Sequence, residues 1–253
     1  MAVGRYCFRI PLVVVLVVAC LPLPAFSQDA GSKDSSSEAK PDEQGDRKEV
    51  PRGINDNFLA PDLNAEEWQK RFEVESREVY AGRADVVKAL HLSPGMRIAD
   101  VGSGTGLYLS SFSAAVGSEG RVFAVDISPR LIEHIQKRVA TEKMENVAVV
   151  RSNEKSITLP EDSTDRIFIC DTYHHFEFYV DMLASIRQSL SPDGELVIID
   201  FERIPGTSRE WTLSHVRAGK EQVRREVEEA GFTFVEEVKI PEFKENYLLR
   251  FRR

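Results

Sequence analysis

Short runs rich in Val and Ile alternate along the chain with segments of helical periodicity, and this alternation constrains the fold most strongly. Both faces of these runs are apolar, as in strands of a parallel sheet covered by helices on each side. Strands are predicted at residues 97–101, 121–127, 147–152, 166–171 and 194–201, and helices at residues 107–115, 129–141, 178–190 and 208–230. Gly219 interrupts the last helical pattern, so that segment is predicted to bend or split.

The C-terminal pattern differs, because FTFVEEVKI and NYLLRFRR are two consecutive strand-like segments with no helix between them. We therefore predict an α/β fold with a doubly wound, mostly parallel, seven-stranded Rossmann-like sheet that a C-terminal antiparallel hairpin closes. Ahead of the first strand, residues 63–90 predict two helices. Asn64 is the expected N-cap of the first, with Trp68 and Phe72 on one of its faces.

The first 27 residues have the pattern of an export signal, with two arginines, an apolar stretch over 10–23 and small residues up to Ser27. A membrane span is the alternative, but prolines leave only about ten uninterrupted apolar residues where ~20 are needed. A second alternative is a lipoprotein signal, because VVAC resembles a lipidation box with Cys20 as the modified residue. The chain would contact a membrane through the signal segment or through a lipid attached to Cys20.

Residues 28–57 are predicted to form a disordered polar linker, and residues 58–253 the folded domain. An export signal predicts a periplasmic or cell-envelope protein, which would stay cytoplasmic if the signal is not used. Removal of the signal leaves Cys170 as the only cysteine, which excludes an intramolecular disulfide and predicts a buried thiol. The formal net charge of −8, without dense basic clusters, disfavours nucleic acid as a partner.

The segment ADVGSGTGLY, residues 99–108, places three glycines between a predicted strand and a predicted helix. Glycines there let the backbone approach a ligand closely, and the helix N-terminus offers free N–H groups. A dinucleotide fingerprint requires its third glycine at position 107, where the residue is Leu. This spacing disfavours a nicotinamide-dependent oxidoreductase.

The order of Asp100, Gly102, Gly104 and Gly106 resembles the first motif of class I S-adenosylmethionine-dependent methyltransferases. In that family an acidic residue that ends the second strand binds both ribose hydroxyls, and here VFAVDIS ends in Asp126. The resemblance covers roughly residues 95–200 and implies S-adenosylmethionine as the cofactor. It places Ser103 in the cofactor loop, Ile127 against the adenine, and Asn153 at the adenine amino group in place of the family's usual Asp. It also implies that residues 58–95 form a helical lid, with Tyr80 and Arg83 either on it or on a solvated helix face.

The segment CDTYHHFEF, residues 170–178, resembles the fourth motif of the small-molecule branch of that family, which includes quinone and sterol C-methyltransferases. By this resemblance Asp171 lies near the methionyl end of the cofactor, and Tyr173 and His174 line the substrate side as catalytic residues. His174 is the candidate general base. The alternative is that one histidine of the pair packs structurally while the other caps the next helix.

The chain is thus predicted to be a methyltransferase acting on a small molecule. The alternative is an exported binding protein that has the fold without the activity. No metal is predicted, because His174 and His175 are adjacent and the other histidines have no companion ligand three or four positions away.

Overall fold

A seven-stranded sheet with the order β3-β2-β1-β4-β5-β7-β6 forms the centre of the fold in a computed structural model that describes residues 53–253. The strands are β1 (Arg97–Val101), β2 (Arg121–Asp126), β3 (Val147–Arg151), β4 (Thr164–Cys170), β5 (Leu190–Phe201), β6 (Thr233–Glu237) and β7 (Asn246–Arg252). Strands β1 to β5 pair in parallel, and β7 lies antiparallel between β5 and β6. The predicted fold class is therefore confirmed. The expected export signal, the Cys20 lipidation site and most of the expected linker lie outside the described residues.

Nine α-helices are present among residues 53–253. They are α1 (Asp56–Leu59), α2 (Ala65–Phe72), α3 (Glu78–Ala81), α4 (Arg83–Ala89), α5 (Leu109–Val116), α6 (Pro129–Thr141), α7 (Tyr179–Ser189), α8 (Glu210–His215) and α9 (Lys220–Glu229). No helix in this part of the chain is long and apolar enough to cross a membrane.

Alternate residues of the central strands face opposite helical layers, which explains why both faces are apolar. Ile98 and Phe168 belong to a core cluster with α4, α5 and α6, whereas Ala99 and Ile167 belong to a second cluster with α7 and α9. All four side chains are fully buried. Burial on both faces requires apolar residues at every position of a strand, so the runs lack the alternation of a half-exposed strand.

The N-terminal segment differs from the two predicted helices, because residues 56–89 form four short ones. The Asn64 side chain caps α2 as expected, accepting hydrogen bonds from the N–H groups of Glu66 and Glu67. Asn55, which lies in the last part of the expected linker, donates from Nδ2 to the carbonyl of His175. This segment is therefore attached to the loop that follows β4.

The predicted helix over residues 208–230 is split into α8 and α9 by residues 216–219. Arg217 turns inward there and pairs with Glu226 of α9 through two hydrogen bonds of 2.7 and 2.8 Å. Both side chains are buried, at 4% and 1% exposure. This buried pair, rather than Gly219 alone, accounts for the break.

Candidate functional site

A cleft of about 820 Å³ opens at the carboxyl edge of the sheet, where β1 and β4 lie side by side. The chain runs from β1 toward one sheet edge and from β4 toward the other, so this is the topological switch point at which open α/β sheets bind ligands. Three segments form most of the wall: the glycine loop after β1, the loop after β4 and the helices α1 and α2. The volume suits a ligand of several hundred daltons.

The glycine loop passes so close to the loop after β4 that position 102 has no room for a side chain. A Cβ on Gly102, whose φ is +73°, would lie 2.2 Å from Cγ2 of Thr172. Ser103 donates from Oγ to Asp100 at 2.8 Å, and burial raises the pKa of the Asp100 carboxyl to about 7. Gly106 shapes the turn by donating its N–H to the Ser103 carbonyl, and it does not line the cleft.

Asp126, at the end of β2, joins the second strand to the glycine loop. Its Oδ2 accepts the N–H of Gly104 at 2.8 Å, and its Oδ1 accepts the N–H of Ser128 at 2.9 Å. Burial raises the pKa of the Asp126 carboxyl to about 6, while these backbone donors oppose the shift. The Ile127 N–H also stabilises the ionised form, and a carboxylate has about four acceptor sites, so Asp126 keeps acceptor capacity for a ligand in the cleft that it lines. Ile127 and Asn153 also line the wall here, and Asn153 accepts the N–H of Lys155.

Asp171 begins the loop after β4 and lies in a left-handed conformation, with φ of 48°. Two residues that the sequence did not indicate hold its carboxylate, Arg77 from the segment before α3 at 2.5 Å and Asn246 from β7 at 2.8 Å. Burial raises the pKa of the Asp171 carboxyl to about 6, and the Arg77 guanidinium opposes this shift. A negative group is thus fixed beside the glycine loop.

His174 and His175 occupy a single 3-10 turn after β4 and both line the cleft. The buried Asp200 at the end of β5 contacts Nδ1 of His174 at 2.8 Å and also accepts the backbone N–H of His174. Asn55 accepts a hydrogen bond from Nδ1 of His175 at 3.1 Å. Burial, together with the neighbouring His174 and His215, lowers the pKa of His175 to about 2. Because Nδ1 of each ring is engaged by these contacts, Nε2 is the nitrogen available to a ligand in the cleft.

Tyr173 does not reach the cleft, which corrects the expectation that it faces the substrate. Its side chain is fully buried, and its hydroxyl donates to Glu226 at 2.8 Å on the opposite side of the turn. The guanidinium of Arg217 lies 5.4 Å from its ring centroid. Consecutive residues of a three-residue turn point in different directions. The 3-10 turn therefore directs Tyr173 into the core, while His174 and His175 face the cleft.

Aromatic side chains of α1 and α2 cover the cleft. The Trp68 ring lies 4.8 Å from Phe58 and 5.2 Å from Phe72, and all three line the cleft. Tyr80 and Arg83 pack against each other away from the cleft, with the guanidinium 4.1 Å from the ring, which agrees with the solvated-face alternative for them.

Cys170 is the only cysteine among residues 53–253 and ends β4 at the base of the cleft. Burial raises the pKa of its thiol well above the ordinary value. Cys170 is partly rather than fully buried, but a protonated thiol is a poor nucleophile, which agrees with the unreactive cysteine expected from the sequence.

Comparison with known proteins finds similarity to methyltransferases. Residues 98–194 match the family model of a methyltransferase domain. A demethylmenaquinone methyltransferase of Geobacillus sp. (strain WCH70) is 24% identical over 118 residues, which is 47% of this chain and 50% of that protein. The chain spans about half the length of the curated relatives it matches.

Solved structures extend the similarity to most of the described residues. A SAM dependent methyltransferase from Aquifex aeolicus is 26% identical with a TM-score of 0.66, covering 74% of this chain and 97% of that one. Phosphoethanolamine N-methyltransferase 2 from Haemonchus contortus, solved in complex with S-adenosyl-L-methionine, has a TM-score of 0.65 at 16% identity. That likeness covers 79% of this chain and 60% of the other, and it shows a shared fold.

Proposed function

We propose that this chain, whose residues 98–194 match the model of a methyltransferase domain, is a class I S-adenosylmethionine-dependent methyltransferase that transfers a methyl group from that cofactor to a small molecule. One observation supports the proposal above the others: the buried Asp126 carboxylate binds the glycine loop, lines the cleft and keeps acceptor capacity beyond its backbone partners. A buried acid with unused acceptor capacity needs a polar partner. The two vicinal hydroxyls of a ribose would supply hydrogen-bond donors to this carboxylate.

The residues of the cleft fit the remaining parts of S-adenosylmethionine. Ile127 and Asn153 flank Asp126, where an adenine would meet an apolar side chain and an amide. Asp171 lies on the other side of the glycine loop, where its carboxylate would face the positively charged sulfonium and amino groups. The cofactor supplies an activated methyl group on sulfur, so the protein has mainly to align the acceptor with it and exclude water.

The acceptor would lie between the aromatic side chains of α1 and α2 and the two histidines. Phe58 packs edge-on against His175 with ring centroids 5.3 Å apart, so apolar and polar walls meet at this point. An apolar or aromatic molecule with one hydroxyl, thiol or amine suits such a surface. Asp200 holds Nδ1–H of His174, so that Nε2 can bind the acceptor or remove its proton. Demethylmenaquinone, named for the Geobacillus relative, is a reasonable first acceptor to assay.

Calorimetry on the purified full-length chain tests this function. Wild-type protein should bind S-adenosylmethionine and S-adenosylhomocysteine, whereas Asp126→Ala should bind both at least about 100-fold more weakly. Absence of binding by the wild type at millimolar concentration would overturn the proposal. Binding of both without transfer of labelled methyl to any acceptor tried would instead support the binding-protein alternative.

We further propose that the chain is exported, on the signal pattern of residues 1–27. Fractionation of the native cell, with an antibody against residues 53–253, should find the protein in the envelope. Recovery only from the cytoplasm, with residues 1–27 still attached, would contradict export. Mass spectrometry of the mature N-terminus would separate cleavage after Ser27 from lipidation at Cys20.

A further inference from the structure

Three of the five histidines of the chain meet on the acceptor side of the cleft. His174 and His175 come from the 3-10 turn after β4, and His215 comes from the end of α8, forty residues later. One ring nitrogen from each lies within 4.8 Å of the other two. The ring centroids are 4.4 Å apart for His174 and His175, and 5.2 and 5.3 Å from these two to His215.

Hydrogen bonds outside the cluster hold two of the rings in one orientation. Asp200, 1% exposed, contacts Nδ1 of His174, and its second oxygen accepts the backbone N–H of the same residue. The amide oxygen of Asn55 can only accept, so Nδ1 of His175 is the donor in their contact. In both rings Nδ1 is engaged by these contacts, so Nε2 is the nitrogen available to a ligand. Metal-binding histidines typically donate their other ring nitrogen to a carboxylate or carbonyl oxygen in this way.

The third ring is positioned by packing. His215 stacks on Trp211 with centroids 4.8 Å apart and an interplanar angle of 24°. Trp211 in turn packs edge-on against Phe201, which follows Asp200 in the sequence. The cluster is therefore attached to the sheet through two neighbouring residues of β5.

A purely structural cluster of histidines would be expected to share hydrogen bonds. Among the contacts of these three residues, no hydrogen bond joins one ring to another. Neutral imidazole is the form that binds metal ions.

We propose that His174, His175 and His215 bind a divalent transition-metal ion such as Zn²⁺, with the remaining coordination position open to the cleft. Three neutral imidazoles with an open position are a known arrangement for catalytic zinc. Zn–N bonds of about 2.0–2.1 Å in a tetrahedron place the nitrogens ~3.3 Å apart, so the rings must close by at most about 1.5 Å. Side-chain rotation supplies such a movement. This site replaces the expectation, made from sequence spacing alone, that no metal is bound.

The ion would lie where the acceptor enters and would bind a hydroxyl, thiolate or amine of that molecule as a Lewis acid. With the ion present, Nε2 of His174 would be a metal ligand and could not also remove a proton from the acceptor. The metal would instead stabilise the deprotonated form of the acceptor. The binding site itself requires only these side chains, so it is independent of methyl transfer.

Metal titration of the full-length chain, stripped with a chelator and free of S-adenosylmethionine, tests the proposal. Co²⁺ should bind at one equivalent per chain and give the visible absorption of a tetrahedral site, and Zn²⁺ should displace it. His215→Gln should weaken Zn²⁺ binding at least about 100-fold. Asp200→Asn, which removes a positioning contact, should weaken it about 10- to 100-fold and leave the three ligands in place.

The matched control is His134→Gln, which removes a histidine of α6 outside the cluster and should leave the affinity unchanged. All variants contain the same cysteines, so any thiolate contribution is common to them. Thermal melting in chelator verifies that each variant folds, and the half-exposed position of His215 should tolerate Gln. Failure of wild-type chain to bind Zn²⁺ below 1 mM, or equal affinities for the two histidine variants, would overturn the proposal while leaving the methyltransferase assignment intact.

Discussion

Asp126 and Gly104 form a hydrogen bond between the end of β2 and the glycine loop, with the backbone N–H of Gly104 2.8 Å from Oδ2 of Asp126. Gly104 adopts a backbone φ of +60°, which residues other than glycine rarely adopt. In this conformation its N–H points toward the carboxylate. The acid is thus held in place before any ligand arrives. A preorganised acceptor reduces the entropy that binding must overcome.

Asp126→Ala should weaken binding of S-adenosylhomocysteine at least about 100-fold, because hydrogen bonds to a charged group contribute about 1.5–3 kcal/mol each and a ribose makes two. Calorimetry measures the loss. Asp126→Asn keeps the size but only one acceptor oxygen, and it should fall between wild type and Ala. Equal affinity of all three proteins would place the ribose elsewhere.

Binding of S-adenosylhomocysteine should depend on pH between 5 and 7. Burial raises the pKa of the Asp126 and Asp171 carboxyls to about 6. The ligand's donors need the ionised acids, so protons compete with the ligand as the pH falls through 6. We expect the dissociation constant to rise by up to about tenfold per pH unit for each carboxyl involved. Titrations in chelator at pH 7.5, 6.5, 5.5 and 5 measure this, and a constant affinity would show that neither acid contacts the ligand.

Helix α6 was predicted from the sequence with its correct bounds because its signals are local. Ser128 caps it by accepting the N–H of Leu131, and Pro129 begins it without losing a hydrogen bond. Strand β1 was equally predictable, since burial on both faces appears directly in its composition. The bounds of an element can be predicted from the sequence when they depend only on residues that are close together in the chain.

The split between α8 and α9 depends on a contact that no local pattern contains. Arg217 and Glu226 are nine positions apart, and only the packed structure shows that both are buried together. The same holds for the histidine cluster, because His215 is forty positions from His175 and meets it only through the sheet. Local sequence patterns therefore predict single elements and loops, but not clusters that only the packed structure assembles.

Tyr173 is expected to stabilise the protein and not to take part in the reaction. Tyr173→Phe removes the hydroxyl that donates to the buried Glu226, and the free energy of unfolding should fall by about 1–2 kcal/mol in urea. Affinity for S-adenosylhomocysteine should be unchanged. Tyr80→Phe, at a position outside the cleft, is the control and should change stability by less than about 0.5 kcal/mol. Unchanged stability with lost methyl transfer would return Tyr173 to the catalytic role expected from the sequence.

The end of α2 is held over the cleft by Arg138 of α6, and this contact should control how long the cofactor stays bound. Arg138 contacts Glu73 at 2.6 Å and donates to the Thr105 carbonyl at 3.1 Å, and both charged side chains are about 15% exposed. Arg138→Gln loses the ion pair, so the aromatic cover should open more often and release S-adenosylhomocysteine several times faster. Stopped-flow emission of Trp68, recorded in a Trp211→Phe background, follows this release. Arg130→Gln breaks an exposed pair on the same helix and should leave the rate unchanged, and equal release rates for both variants would show that Arg138 does not hold the cover.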